Sequence, residues 1–153
     1  APEDFHARFS AKGKRYRYRV LNREVRSALE RRTSWFIHTP LDLAAMQQAA
    51  DQLTGRRDFK AFESAGSPRA HTVRQVTAAE WVRDRQQPGL LVFQIEADGF
   101  LRCMVRNIVG TLVAVGRGTL APASIDAILD SRDRRQAGPT APARGLFLVA
   151  VQY

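Results

Sequence analysis

The chain has 153 residues, 44% of them hydrophobic and 25% charged, a mix that suits one domain with one core. No apolar run is long enough to span a bilayer, and the polar, basic residues 1–20 do not read as a signal peptide. Lys and Arg total 24 against 15 Asp and Glu, a formal charge of +9 carried almost entirely by arginine, which points to a polyanionic partner, nucleic acid before an acidic membrane surface.

Residue 1 is alanine, and Phe5 and Phe9 stand where a polar, loose terminus is usual, so a processed chain or one cut from a longer protein is expected. Residues 14–21 alternate as a strand, with Arg15, Arg17 and Arg19 on one face and Tyr16, Tyr18 and Val20 on the other. A charged connection follows over 22–33, then a short apolar run, Trp35, Phe36 and Ile37, of undetermined type. A helix opens after Pro40 and Asp42 with Leu43, Met46, Gln47, Ala50 and Leu53 on its face, and Gly55 is its expected C-cap. Residues 55–58 then read as a capped turn and 63–71 as an exposed loop.

Two strands, 72–83 and 90–98, are joined by the turn signal at 86–89 and form a hairpin, with Leu91, Phe93, Ile95 and Ala97 facing one way. Residues 100–115 are apolar almost all round and predict a buried helix ended by Gly116 and Gly118. Pro122 starts another helix, faced by Ile125, Ile128 and Leu129. A loop over 138–145 leads to a last strand, 146–151, apolar on both faces and therefore expected inside a sheet. The order of elements predicts a single α+β domain over 1–153, helices packed on a mixed, largely antiparallel sheet.

Few residues offer chemistry. Cys103 is the only cysteine, which rules out a disulfide framework or a cysteine-built zinc site within the chain, fits a reducing cytoplasm, and reads as a core residue. His6, His38 and His71 lack metal-ligand spacing, and no phosphate-binding glycine loop or nucleophile elbow occurs. Arg106, on an apolar helix, needs a carboxylate, a phosphate or carbonyl partners, because an unpaired buried guanidinium costs roughly several kcal/mol. It is either a structural ion pair with Asp98 or Glu96, an arginine that snorkels outward, or a cation holding an active-site carboxylate. The strand with Arg15, Tyr16 and Arg17 suits RNA, its arginines taking phosphates and an aromatic ring stacking on an exposed base; it is equally an edge strand with solvated arginines and core tyrosines. Arg69, His71 and Arg74 add exposed cations, and the clusters at 31–32 and 132–135 read as solvated charge.

Taken in order, Asp4-Phe5-His6-Ala7-Arg8-Phe9-Ser10-Ala11, Arg15-Tyr16-Arg17-Tyr18, Asp58-Phe59, Met104-Val105-Arg106-Asn107-Ile108-Val109-Gly110 and Ala143-Arg144-Gly145-Leu146 resemble the C-terminal half of the tRNA pseudouridine synthase A family over nearly the whole chain. The resemblance implies a pseudouridine-synthase-like C-terminal domain and isomerisation of uridines in the anticodon arm of tRNA. It implies no metal or organic cofactor, a homodimer with a basic cleft, and work in the cytoplasm. By the same resemblance Tyr16 lies against the target base and Arg106 pairs with the nucleophilic aspartate. The resemblance also implies that Arg15, Arg17, Arg69 and Arg74 are RNA contacts. The family's aspartate motif, Gly-Arg-Thr-Asp-Ala-Gly-Val-His, does not occur in these residues, and Asp58 matches a different family position. The chain alone is therefore expected to be inactive and to expose an apolar patch or an unpaired sheet edge. A non-catalytic RNA-binding module is the competing reading. It would pair Arg106 within the chain, whereas an enzyme part would leave a carboxylate position open beside it.

Overall fold

A computed structural model of the protein describes residue 6 and residues 10–66 and 71–153. Phe5, Phe9 and Arg69 lie outside these residues, as does most of the motif at 4–11. Strand β1, Gly13–Asn22, has the expected two-faced pattern: Tyr18 and Val20 are buried while Arg15 and Arg17 are exposed. The apolar run at 35–37 is a strand, β2, Trp35–Ile37, parallel to the end of β1. Helix α1, Leu43–Asp51, starts at Asp42, whose carboxylate accepts from the Ala45 amide at 3.0 Å.

Gly55 does not cap α1. That place falls to Gln52, and Gly55 opens β3, Gly55–Asp58, with φ of 103°. The expected capped turn at 55–58 is thus a strand, because β4, Val73–Arg83, offers it an antiparallel edge. β4 turns into β5, Leu90–Ala97, as the hairpin signal predicts. Beyond β3, the free edge of β4 is closed by Gln47 of α1, which accepts from the Trp81 amide at 2.7 Å and donates to Ala79 O at 3.2 Å. A polar residue on the core face of α1 is explained by that edge.

Helix α2 runs Met104–Gly116, later than expected. Cys103 sits in the left-handed region at φ 57°, so residues 100–103 form a turn into the helix, and Cys103 is half-exposed rather than a core residue. Helix α3 is Ser124–Ser131, and β6, Leu146–Gln152, closes the chain. The sheet runs β2-β1-β5-β4-β3, with β6 also paired to β1. It is antiparallel except at β1–β2, giving the mixed α+β architecture anticipated. The helices contribute to one core with the inner sheet face, in which Tyr18, Val20, Phe93, Ile95, Ile108 and Leu112 are buried.

Two expectations need correction. β6 is not interior: among the described residues it pairs only with β1, and Phe147, Leu148 and Val149 are 39%, 53% and 42% exposed. Its apolar faces are real, but no second layer covers them among the described residues. The loop at 63–66 is not simply exposed either, because Glu63 is buried and Ser64 donates its amide to Arg102 O at 3.0 Å. No helix among the described residues is long and apolar enough to cross a membrane.

Candidate active site

Alternation along β1 points Tyr16 and Tyr18 toward α2. Tyr16 is half-buried, its ring meeting Phe100 edge-on at 5.0 Å. Phe100 reaches it from the segment that leads into α2. Burial raises the Tyr16 phenol above its ordinary pKa, so the hydroxyl is neutral at physiological pH. Tyr18 is deeper, and its hydroxyl donates to Pro142 O at 2.6 Å. Burial raises its pKa too, opposed by the nearby positive charges of Arg106 and Arg144.

Arg106 projects from the first turns of α2 and is half-buried. Its Nε donates to Ala141 O at 2.7 Å, and its own carbonyl accepts from the Ala141 amide at 3.0 Å. Glu96 and Asp98 are engaged elsewhere. Glu96 takes Arg15 at 2.7 Å, and hydrogen bonds from Arg15 and then Gln152 hold its carboxyl below the usual range. Asp98 accepts from the Gln75 amide at 3.0 Å. Among the described residues Arg106 has no carboxylate partner and neither Nη makes a hydrogen bond. With Nε tied sideways, the end-on Nη pair remains free, which is the geometry for a bidentate carboxylate.

Tyr16 and Arg106 thus lie on the same side of the sheet; Tyr18, two residues from Tyr16 on that face, bonds Pro142 O beside the Ala141 carbonyl that holds Arg106. Arg15 and Arg17 lie on the other side, where Arg17 donates to Gln94 at 2.9 Å. Arg74 is half-buried at the start of β4 and donates to Val73 O at 2.6 Å.

Sequence reasoning passed over Asn107, which is fully buried. Its Nδ2 donates to Phe62 O at 2.8 Å, and its Oδ1 accepts from Thr140 at 2.6 Å and Arg134 at 3.1 Å. Asn107 and Thr111 are polar residues four apart on an apolar helix, a visible signal that this face meets polar backbone.

Fold and site together define a class: a basic, mixed-sheet α+β domain presenting a half-buried arginine with a free edge beside a tyrosine-bearing sheet face. A family model described as tRNA pseudouridine synthase matches residues 49–153. The tRNA pseudouridine synthase A of Moorella thermoacetica is 51% identical over 150 residues, covering 98% of this chain and 60% of that protein. Those of Syntrophotalea carbinolica and Bdellovibrio bacteriovorus are 48% and 42% identical, covering 99% and 100% of this chain. The chain belongs to the tRNA pseudouridine synthase family. It spans about 60% of the length of the curated relatives it matches.

Proposed function

We propose that this chain forms the C-terminal part of a tRNA pseudouridine synthase A-type active site, acting on uridines of the tRNA anticodon arm. In that reaction the C1′–N1 glycosidic bond of the uridine breaks. The uracil turns, a C1′–C5 bond forms, the C5 proton leaves and N1 takes one up. Tyr16 provides the wall against which the extruded base lies, with a phenol kept neutral by burial. Arg106 receives the nucleophilic aspartate on its Nη edge, the carboxylate coming from residues outside these 153. The single observation behind this reading is that free edge: among the described residues the half-buried guanidinium is tied only through Nε, and the two candidate partners, Glu96 and Asp98, are engaged elsewhere. A self-contained RNA-binding module would have paired it.

The relatives are tRNA pseudouridine synthases, and the net charge of +9 suits their substrate. Arg69, which lies outside the described residues, is one RNA contact, and Arg74 contacts the RNA from the start of β4. Arg15 and Arg17 do so only from the opposite sheet face, hence at a separate stretch of tRNA. The working form is a cytoplasmic homodimer without metal or organic cofactor. The exposed strand β6 is where the remainder of the catalytic fold packs.

Tritium release from C5-labelled uridine in tRNA tests the proposal. The 153 residues alone are expected to show none, the full-length protein robust release, and Arg106→Gln in that protein a loss of on the order of a hundredfold or more in kcat. Turnover by the isolated chain, or an unimpaired Arg106→Gln enzyme, would overturn it.

A further inference from the structure

The segment between the helical turn Arg134–Gln136 and β6 crosses over α2 as a strap, and its fastenings converge on Arg106. The crossing lies at Gly110: a Cβ there would run into the Pro139 carbonyl and stand 2.8 Å from Pro139 C, so only glycine lets the two backbones meet. On one side the Gly138 amide donates to Thr111 Oγ1 at 2.9 Å. On the other, Tyr18 ties down Pro142 O at 2.6 Å. Between them Thr140 Oγ1 donates to Asn107 Oδ1 at 2.6 Å, and the Arg134 Nη2 reaches both Asn107 Oδ1 and Thr140 Oγ1 at 3.1 Å. The next residue, Ala141, is the one whose carbonyl takes Arg106 Nε.

A guanidinium is planar, so fixing the acceptor of Nε fixes the direction of the Nη edge. From this geometry we infer that the strap is a positioning device for Arg106, with Thr140 and Asn107 as the residues that set where the Ala141 carbonyl stands. The inference rests on the reading of Arg106 as partner of the nucleophile. On this reading they act through the arginine and not on the reacting atoms. Asn107 also anchors Phe62 O and Ser64 Oγ, so the same buried amide joins the 60–64 turn, α2 and the strap.

Thr140 is exposed, which makes it the safe place to cut the network. In the full-length enzyme Thr140→Val keeps the shape and removes the hydroxyl. The expected result is a kcat lowered roughly tenfold, since small misplacement of a catalytic group is costly, with KM close to that of the parent and a melting temperature lower by only about 3–6 °C. Thr140→Ser should restore kcat. A Thr140→Val enzyme with parental kcat, a change confined to KM, or a loss that serine does not restore would overturn the positioning role. Arg106→Lys, measured alongside, separates the two levels. If it is impaired while Thr140→Val is normal, only the strap inference fails; if both are normal, the reading of Arg106 fails as well.

Discussion

Replacing Gly110 by alanine separates local helix preference from the tertiary crossing, because the two push in opposite directions. In the interior of α2, alanine is favoured over glycine by about 1 kcal/mol. Against that, the new Cβ would meet backbone atoms, Pro139 C at 2.8 Å and the Ala141 amide nitrogen at 3.3 Å, which cannot rotate away as a side chain could. The strap has to lift, which breaks the bonds from the Gly138 amide to Thr111, from the Ala141 amide to Arg106 O, from Arg106 Nε to Ala141 O and from Thr140 to Asn107. At about 1 kcal/mol each, these outweigh the propensity gain and leave a net loss of about 3 kcal/mol. In a domain of this size that corresponds to a fall in melting temperature on the order of 10 °C. Thermal or urea unfolding monitored by circular dichroism gives the value. Gly116→Ala is the matched control, since its Cβ meets the Met46 thioether, a flexible side chain that can move aside, and it should cost only about 1 kcal/mol. A Gly110→Ala protein as stable as the parent, or more stable, would refute the crossing.

The phenols of Tyr16 and Tyr18 are raised by burial above the unfolded value of 10.0, so their contribution is fully present below about pH 10 and is lost as pH climbs toward the folded values. Urea midpoints should therefore hold up to about pH 10 and fall progressively above it, and Tyr18→Phe should flatten that fall; an equal fall in the variant would show that other groups cause it. At neutral pH the same variant leaves Pro142 O without its donor and should lose about 1 kcal/mol, read from the urea midpoint. Asp42→Ala removes the N-cap of α1 and should cost about 1 kcal/mol while Asp42→Asn costs little; equal losses would mean that charge, not capping, matters there.

The residues of the candidate site are visible one by one in the sequence, and for those on β1 so is the side of the sheet each one takes. Strand alternation already separates Tyr16 from Arg15 and Arg17, and the structure turns that into a physical division. Tyr16 and the Arg106 edge share one side of the sheet, while the Arg15 and Arg17 side chains are engaged with Glu96 and Gln94 on the other. On the proposed function, any RNA bound by those two arginines has to reach a different surface from the one on which Tyr16 lies.

Local periodicity determined β1, the β4–β5 hairpin and the buried character of α2, because a strand or helix declares its buried face through the spacing of its own apolar residues. It also located Arg106 as a cation in need of a partner. Pairing between distant segments had to be settled by the folded chain. Residues 55–58 became a strand because β4 was there to pair with them, and β6, apolar on both faces, was left with one paired edge among the described residues. The partner of Arg106 Nε proved to be a backbone carbonyl 35 residues on, and Gly110 has its meaning from the chain that crosses it. Carbonyls and amides are the same at every residue, so their partners carry no signature in the sequence; only topology decides which of them meet.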